Sequence, residues 1–144
     1  SIMLGTNDSA SEGPNGSPVS DQQYHDNLKT IIDSLLKDFP TAKVVIQWPI
    51  WYSPNTYNGD RYLQEGLTRL QTYFPQIDKL VAEYGKPDQI FSVNKKAFNY
   101  FKKHYLTDLK PEQGRQGTFY LHPNKKGAEA LGIFWAKAIY RVVK

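Results

Sequence analysis

Val44-Val45-Ile46 is an unbroken β-branched run, bounded by Lys43 on one side and by Trp48-Pro49 on the other. A short run of this kind, without polar alternation, suits a strand covered on both faces. Pro49 cannot donate to a continuing ladder and should stop it. A strand buried on both sides requires helices above and below it, and the rest of the chain supplies helical stripes between short apolar runs. Ser20-Asp21-Gln22-Gln23 has the form of a capping box. The spacing after it predicts a helix with Tyr24, Leu28, Ile31, Ile32, Leu35, Leu36 and Phe39 on one face, ended by Pro40. Asp60 is expected to cap a long second helix, apolar at Leu63, Leu67, Leu70, Phe74, Ile77, Val81 and Tyr84. Pro75 should kink or split that helix near Tyr73, and Gly85 with Pro87 should end it.

Ser1 to Leu4 reads as the tail of a buried strand, and Gln89 to Val93 as another strand. A helix through Ala97, Phe98, Phe101 and Tyr105 follows, and Asn124 caps a last helix expected to pack through Ala128, Leu131, Phe134, Trp135, Ala138, Ile139 and Val142. Residues 5–20, 49–60 and 107–123 carry the Gly, Pro, Asn and Ser of long loops. Strand and helix therefore alternate, which implies an α/β domain spanning 1–144 with a parallel sheet and helices on both faces. Ligand sites in such sheets lie beyond the carboxyl ends of the strands, where Gly5, the 49–60 loop and the residues after Val93 fall.

Composition narrows the function classes. The chain has no cysteine, which excludes disulfides and thiolate metal sites. Its net charge of +4 comes from scattered pairs such as Lys95-Lys96, Lys102-Lys103 and Lys125-Lys126, the pattern of solvated helix surfaces, so no nucleic-acid partner is expected. No apolar stretch approaches the ~20 residues of a membrane helix, so no membrane partner is expected either. Neither a phosphate-binding glycine loop nor a His-Glu-x-x-His metal motif is present, and no cofactor or metal is expected. No signal peptide is visible, and the chain begins inside an apolar run.

Two segments carry the chemistry. Gly5-Thr6-Asn7-Asp8 follows the first apolar run, where a glycine turn would let the Asn7 amide project across the strand ends as an oxyanion donor. The competing structural role is an Asx turn that only satisfies local backbone. His122, just ahead of the Asn124 cap, stands on well-positioned backbone and has the chemistry of a general base. His25 and His104 fall inside helical segments and read as structural or solvated. Trp48, Trp51, Tyr52 and Tyr57 cluster around the end of the second strand, as an apolar or sugar-stacking wall or else as core.

Met3-Leu4-Gly5-Thr6-Asn7-Asp8-Ser9 resembles the third conserved block of the SGNH (GDSL-type) hydrolase superfamily, and His122-Pro123-Asn124-Lys125-Lys126-Gly127 resembles its fifth. The resemblance implies a three-layer flavodoxin-like fold with a parallel sheet of order 2-1-3-4-5, of which 1–144 would be the C-terminal, N-terminally truncated portion. It implies Ser-His ester hydrolysis of a small-molecule or carbohydrate ester. By this resemblance His122 would deprotonate the nucleophilic serine and Asn7 would stabilise the oxyanion; Gly5, Trp48, Trp51 and Tyr52 are expected to face the substrate from their place at the strand ends. A secreted or periplasmic location also follows from the resemblance. The chain departs from the pattern in lacking any Gly-Asp-Ser and in placing Phe119 where the family usually has the acid three residues before the histidine. Truncation ahead of Ser1 is the expected reason for the missing nucleophile, with the N-terminal portion or a second copy covering the exposed edge. Either a backbone carbonyl orients His122 in a dyad, or Glu112 or Asp108 substitutes for the acid. The alternative function is a non-catalytic carbohydrate-binding module that uses the aromatic loop.

Overall fold

In the computed structural model, which describes residues 1–14 and 16–144, the apolar run becomes strand β1, Val44–Ile46, buried throughout. It pairs in parallel with β2, Ile90–Ser92, in the register Val44↔Ile90, Val45↔Phe91 and Ile46↔Ser92. The first apolar segment joins by a single parallel bridge, Ile2↔Ile46, held by Ile2 N–H to the Val45 carbonyl at 2.9 Å and Gln47 N–H to the Ile2 carbonyl at 2.7 Å. The domain is a mixed α/β fold in which this small parallel sheet is accompanied by four α-helices among the described residues.

Helix α1, Asp21–Asp38, starts as the sequence indicates, with Ser20 Oγ accepting from Gln23 N–H at 3.2 Å. Only half of the capping box forms, because the Gln23 amide donates forward to Asn27 instead. Helix α1 packs on helix α2, Leu63–Tyr84, through Tyr24 stacked on Tyr73 with ring centroids 4.2 Å apart. Beside that stack, buried His25 bridges Asp26 (2.9 Å) and Glu83 (2.8 Å), the structural role expected of it.

Helix α2 differs from expectation at two points. It begins at Leu63 rather than behind an Asp60 cap, because the Tyr62 and Leu63 amides turn back to the Thr56 carbonyl at 3.3 and 3.1 Å. Leu63 consequently adopts φ +52°, a strained left-handed conformation for a non-glycine residue. Pro75 does not divide the helix. Its own ring is exposed, while Phe74, Ile77 and Leu80 are buried around it, so core packing holds the helical path across the lost hydrogen bond.

Helix α3, Lys96–Asp108, follows the stripe read from the sequence, burying Phe98 and Phe101. The region expected as a loop over 107–123 is instead an antiparallel hairpin of β3, Leu109–Gly114, and β4, Gly117–Pro123. Gly117, at φ +83°, makes the tight connection possible. Phe119 and Leu121 of β4 alternate inward, a period-two signal obscured by Pro111 and the polar residues of β3. The outer edge of β4 is closed by the 49–60 loop, with Ser53 N–H on the Tyr120 carbonyl at 2.9 Å and Tyr120 N–H on Ser53 Oγ at 2.8 Å.

Helix α4, Lys125–Val143, begins at the expected cap, Asn124 Oδ1 accepting from Gly127 N–H at 3.0 Å. Its apolar stripe is less covered than its sequence suggests. Leu131, Phe134, Trp135 and Ala138 are half-buried and Ala128 and Ile139 exposed, leaving Gly127 and Val142 as its buried positions. The reason is geometric: α4 packs mainly against α3, with Phe134 edge-on to Tyr100 at 5.5 Å, rather than against the sheet.

A Cβ on Gly127 would overlap the Asp108 carbonyl oxygen. Gly127→Ala should therefore destabilise the fold by about 1–3 kcal/mol through overpacking, and Asn124→Ala by about 1 kcal/mol through loss of the cap. Urea denaturation monitored by circular dichroism measures both. A Gly127→Ala protein as stable as wild type would show that the Asp108 backbone moves aside freely.

Candidate functional site

At Gly5 the chain turns with φ +121°, and a Cβ there would come within 3.1–3.3 Å of Tyr24, Pro49 and Tyr73. Only glycine fits this turn without strain, so Gly5 acts through its backbone and packing. The chain then winds into a 3₁₀ turn, Asn7–Ser9, with Ser9 N–H on the Gly5 and Thr6 carbonyls. Asn7 is exposed, and its partner is distant rather than local: Tyr62 Oη donates to Asn7 Oδ1 at 3.1 Å. With the carbonyl side of the amide held by the tyrosine, the Nδ2 group is left as an outward donor. The Asp8 carbonyl anchors the far side of the turn, accepting from Val19 N–H at 2.9 Å and Tyr73 Oη at 3.0 Å. Burial pushes the Asp8 carboxyl up, against an opposing hydrogen bond from its own backbone.

His122 lies exposed on β4, and Glu112 reaches it from β3. Both carboxylate oxygens lie against His122 Nδ1, at 3.0 and 2.9 Å, and the His122 backbone N–H points to the same group at 3.4 Å. The hairpin register creates this pairing. Glu112 pairs with Phe119, Pro111 with Tyr120 and Leu109 with Pro123, so Leu121 and His122 together stand opposite the single Lys110. That bulge turns the histidine toward Glu112, a common use of bulges beside functional sites. Of the two acids considered from sequence, Glu112 is thus the one the fold brings to His122.

Asp108 serves elsewhere. It is fully buried and accepts from Thr107 Oγ1 at 2.6 Å, Tyr100 Oη at 2.7 Å and Lys126 Nζ at 3.0 Å. Burial alone would push its carboxyl up, but these three donors outweigh it and lower it to about 2. Phe119, at the position where an acid was looked for, faces the core against Gly114.

The Asn7 and His122 segments are joined by the 49–62 stretch. Tyr52 Oη shares a hydrogen bond of 2.9 Å with Ser9 Oγ, and the next residue, Ser53, is the partner of Tyr120 on β4. This fold-back revises the expectation of a substrate-facing aromatic wall. Tyr52 is fully buried because its hydroxyl finds Ser9, and Trp51 is buried under Tyr105, 5.1 Å away. Trp48 is half-buried, stacked on Phe74 at 4.6 Å. Tyr57 remains half-exposed beneath the Arg115 guanidinium.

Three of the loop serines, Ser9, Ser11 and Ser53, are committed to local structure. Ser9 Oγ donates to the Thr6 carbonyl, Ser53 holds Tyr120 and Thr56, and Ser11 pairs with Glu65 and Arg69. Ser17 Oγ is buried, with no hydrogen-bond partner among the described residues. Among the described residues no serine hydroxyl is bonded to His122, and no three acidic or histidine side chains gather as a metal site. Among the described residues no helix is long and apolar enough to cross a membrane. Comparison with protein-family models, curated proteins and solved structures finds no match.

Because the Asp108 carboxyl is held below its ordinary 3.8, its contribution to stability is present above about pH 4 and is lost as pH falls toward about 2. Acid titration of the urea midpoint should show this loss in wild type. It should be smaller in Asp108→Asn, which starts weaker at neutral pH. An unchanged acid profile in that variant would show that other carboxylates govern acid unfolding.

Proposed function

We propose that the chain carries the general base and one oxyanion donor of an SGNH (GDSL-type) ester hydrolase on a three-layer flavodoxin-like framework. The observation that carries the reading is the Glu112–His122 pair. A carboxylate on Nδ1 keeps the neutral ring's proton on that nitrogen, leaving Nε2 as the acceptor, and stabilises the imidazolium that forms when Nε2 takes a proton. In the proposed reaction a serine oxygen attacks the acyl carbon while His122 removes its proton. The Asn7 N–H group, aimed by Tyr62, donates to the resulting oxyanion. His122 then returns the proton to the departing alcohol, and water repeats the sequence on the acyl-enzyme. Ser9, Ser11 and Ser53 are engaged within the loops, the Ser17 hydroxyl is buried, and none of the four is bonded to His122, so the nucleophile in this reading comes from outside these 144 residues.

A hollow of about 430 Å³ beside Leu4, Tyr24, Leu28 and Ile31 adjoins the Asn7 turn, and Leu4 is 45% exposed there. That edge is the proposed seat of the segment bearing the serine. The burial of Trp51 and Tyr52 leaves no open ring platform at those two positions, so the binding-module alternative has less to stand on.

With p-nitrophenyl acetate, the chain alone should show no saturable hydrolysis that depends on His122. In a form of the polypeptide that also carries the serine segment, Asn7→Ala should lower kcat by about 10²–10³-fold. Glu112→Ala should lower it by up to about 10⁴-fold, and His122→Ala should remove most of the turnover. A near-wild-type kcat for His122→Ala in that form would overturn the assignment.

The same pairing predicts that neutral His122 is protonated on Nδ1, which long-range ¹H–¹⁵N spectra report directly. An Nε2–H tautomer would remove Glu112 from the proposed mechanism.

A further inference from the structure

We infer that the cleft beneath the C-terminal half of α4 is a binding site for an amphiphilic carboxylate, a single anionic head on an aliphatic body. The cleft encloses about 630 Å³, within the ~300–1,000 Å³ usual for small-molecule sites. Its floor is apolar: Val45 and Phe91 from the sheet, with Phe134 and Ala138 from the helix. Its rim is cationic. Lys137 and Arg141 stand one turn apart on the same α4 face as Phe134 and Ala138, and Lys96 opens α3 across from them.

These three cations distinguish the cleft from an incompletely packed core. All three are exposed and keep their hydration at its mouth, and none has a carboxylate within ion-pairing distance among the described residues. The one acid in the lining, Asp78, accepts a hydrogen bond from Ser92 Oγ at 2.8 Å. The lining therefore has a net positive charge above an apolar floor, which complements an anionic head and a hydrocarbon chain together. Trp48 also borders the cleft, and its buried Nε1–H has no hydrogen-bond partner among the described residues.

The site is separate from the Glu112–His122 pair. His122 precedes the N-terminus of α4, and Phe134 lies ten residues beyond the Asn124 cap, about 15 Å along the helix. The inference therefore does not depend on the esterase reading.

Calorimetric titration of the intact chain with decanoate, below its micelle concentration, should reveal one saturable site. Decyltrimethylammonium, with the same chain and the opposite charge, should bind at least tenfold more weakly, as should acetate, which lacks the chain. The surface variant Lys137→Gln/Arg141→Gln should lose at least tenfold in decanoate affinity with unchanged thermal stability. Trp48→Phe identifies the Trp48 indole resonance, which should shift on titration with decanoate. Equal binding of the two surfactants, undiminished decanoate binding in the double variant, or absence of saturable decanoate binding would each overturn the inference.

Discussion

The backbone carbonyl of Asp108 accepts the Asn124 N–H at 3.0 Å, and Gly127 packs so closely on it that a methyl group would overlap the oxygen. The Asn124 amide donates in turn to the carbonyl of Thr107, and the Asp108 carboxylate gathers Thr107, Tyr100 and Lys126 around itself. One residue thereby ties together the end of α3, the start of β3 and the first turn of α4. The hairpin departs from that knot and returns to it, so its register, including the bulge opposite Lys110, is anchored at Leu109↔Pro123. His122 meets Glu112 only in that register. A one-residue slip would turn every side chain of the slipped strand to the opposite face.

A second constraint works on the Asn7 side. The 49–62 stretch carries Trp51, Tyr52 and Tyr62, all buried, and each hydroxyl finds a polar partner: Tyr52 on Ser9, Tyr62 on Asn7. Buried tyrosines of this kind combine large apolar contact with a directed hydrogen bond. The left-handed Leu63 is the local cost, required because the chain must bring Tyr62 over the turn before α2 can begin. The strained residue is thus the immediate neighbour of Tyr62, the side chain that aims the Asn7 amide. The rings expected to face a ligand were used to hold the framework.

The two functional proposals occupy opposite ends of α4. At its amino end, exposed His122 and half-buried Glu112 form a polar pair on the hairpin. Along its carboxyl half, the helix stands away from the sheet and leaves an apolar floor with a basic rim. Both arise because α4 is anchored tightly at Gly127 and Val142 and only partly covered between them.

The sequence by itself determined the alternation of strands and helices, the caps at Ser20 and Asn124, the glycine turn at Gly5 and the candidacy of Asn7 and His122. These are local matters, set by backbone sterics, side-chain periodicity and capping chemistry within a few residues. The hairpin over 109–123 was partly legible, since Thr118 to His122 alternates and Gly114 and Gly117 flank a two-residue turn, but Pro111 and the polar β3 residues concealed it. Tertiary structure alone decided which acid meets His122, because Glu112 is ten residues away and reaches it only across a bulged ladder. It alone decided that Tyr62 holds Asn7, a contact over 55 residues with no local signature. It also decided the burial of Trp51 and Tyr52, for an aromatic residue in a loop becomes wall or core according to what the loop folds against, and hydrophobicity is the same in both cases.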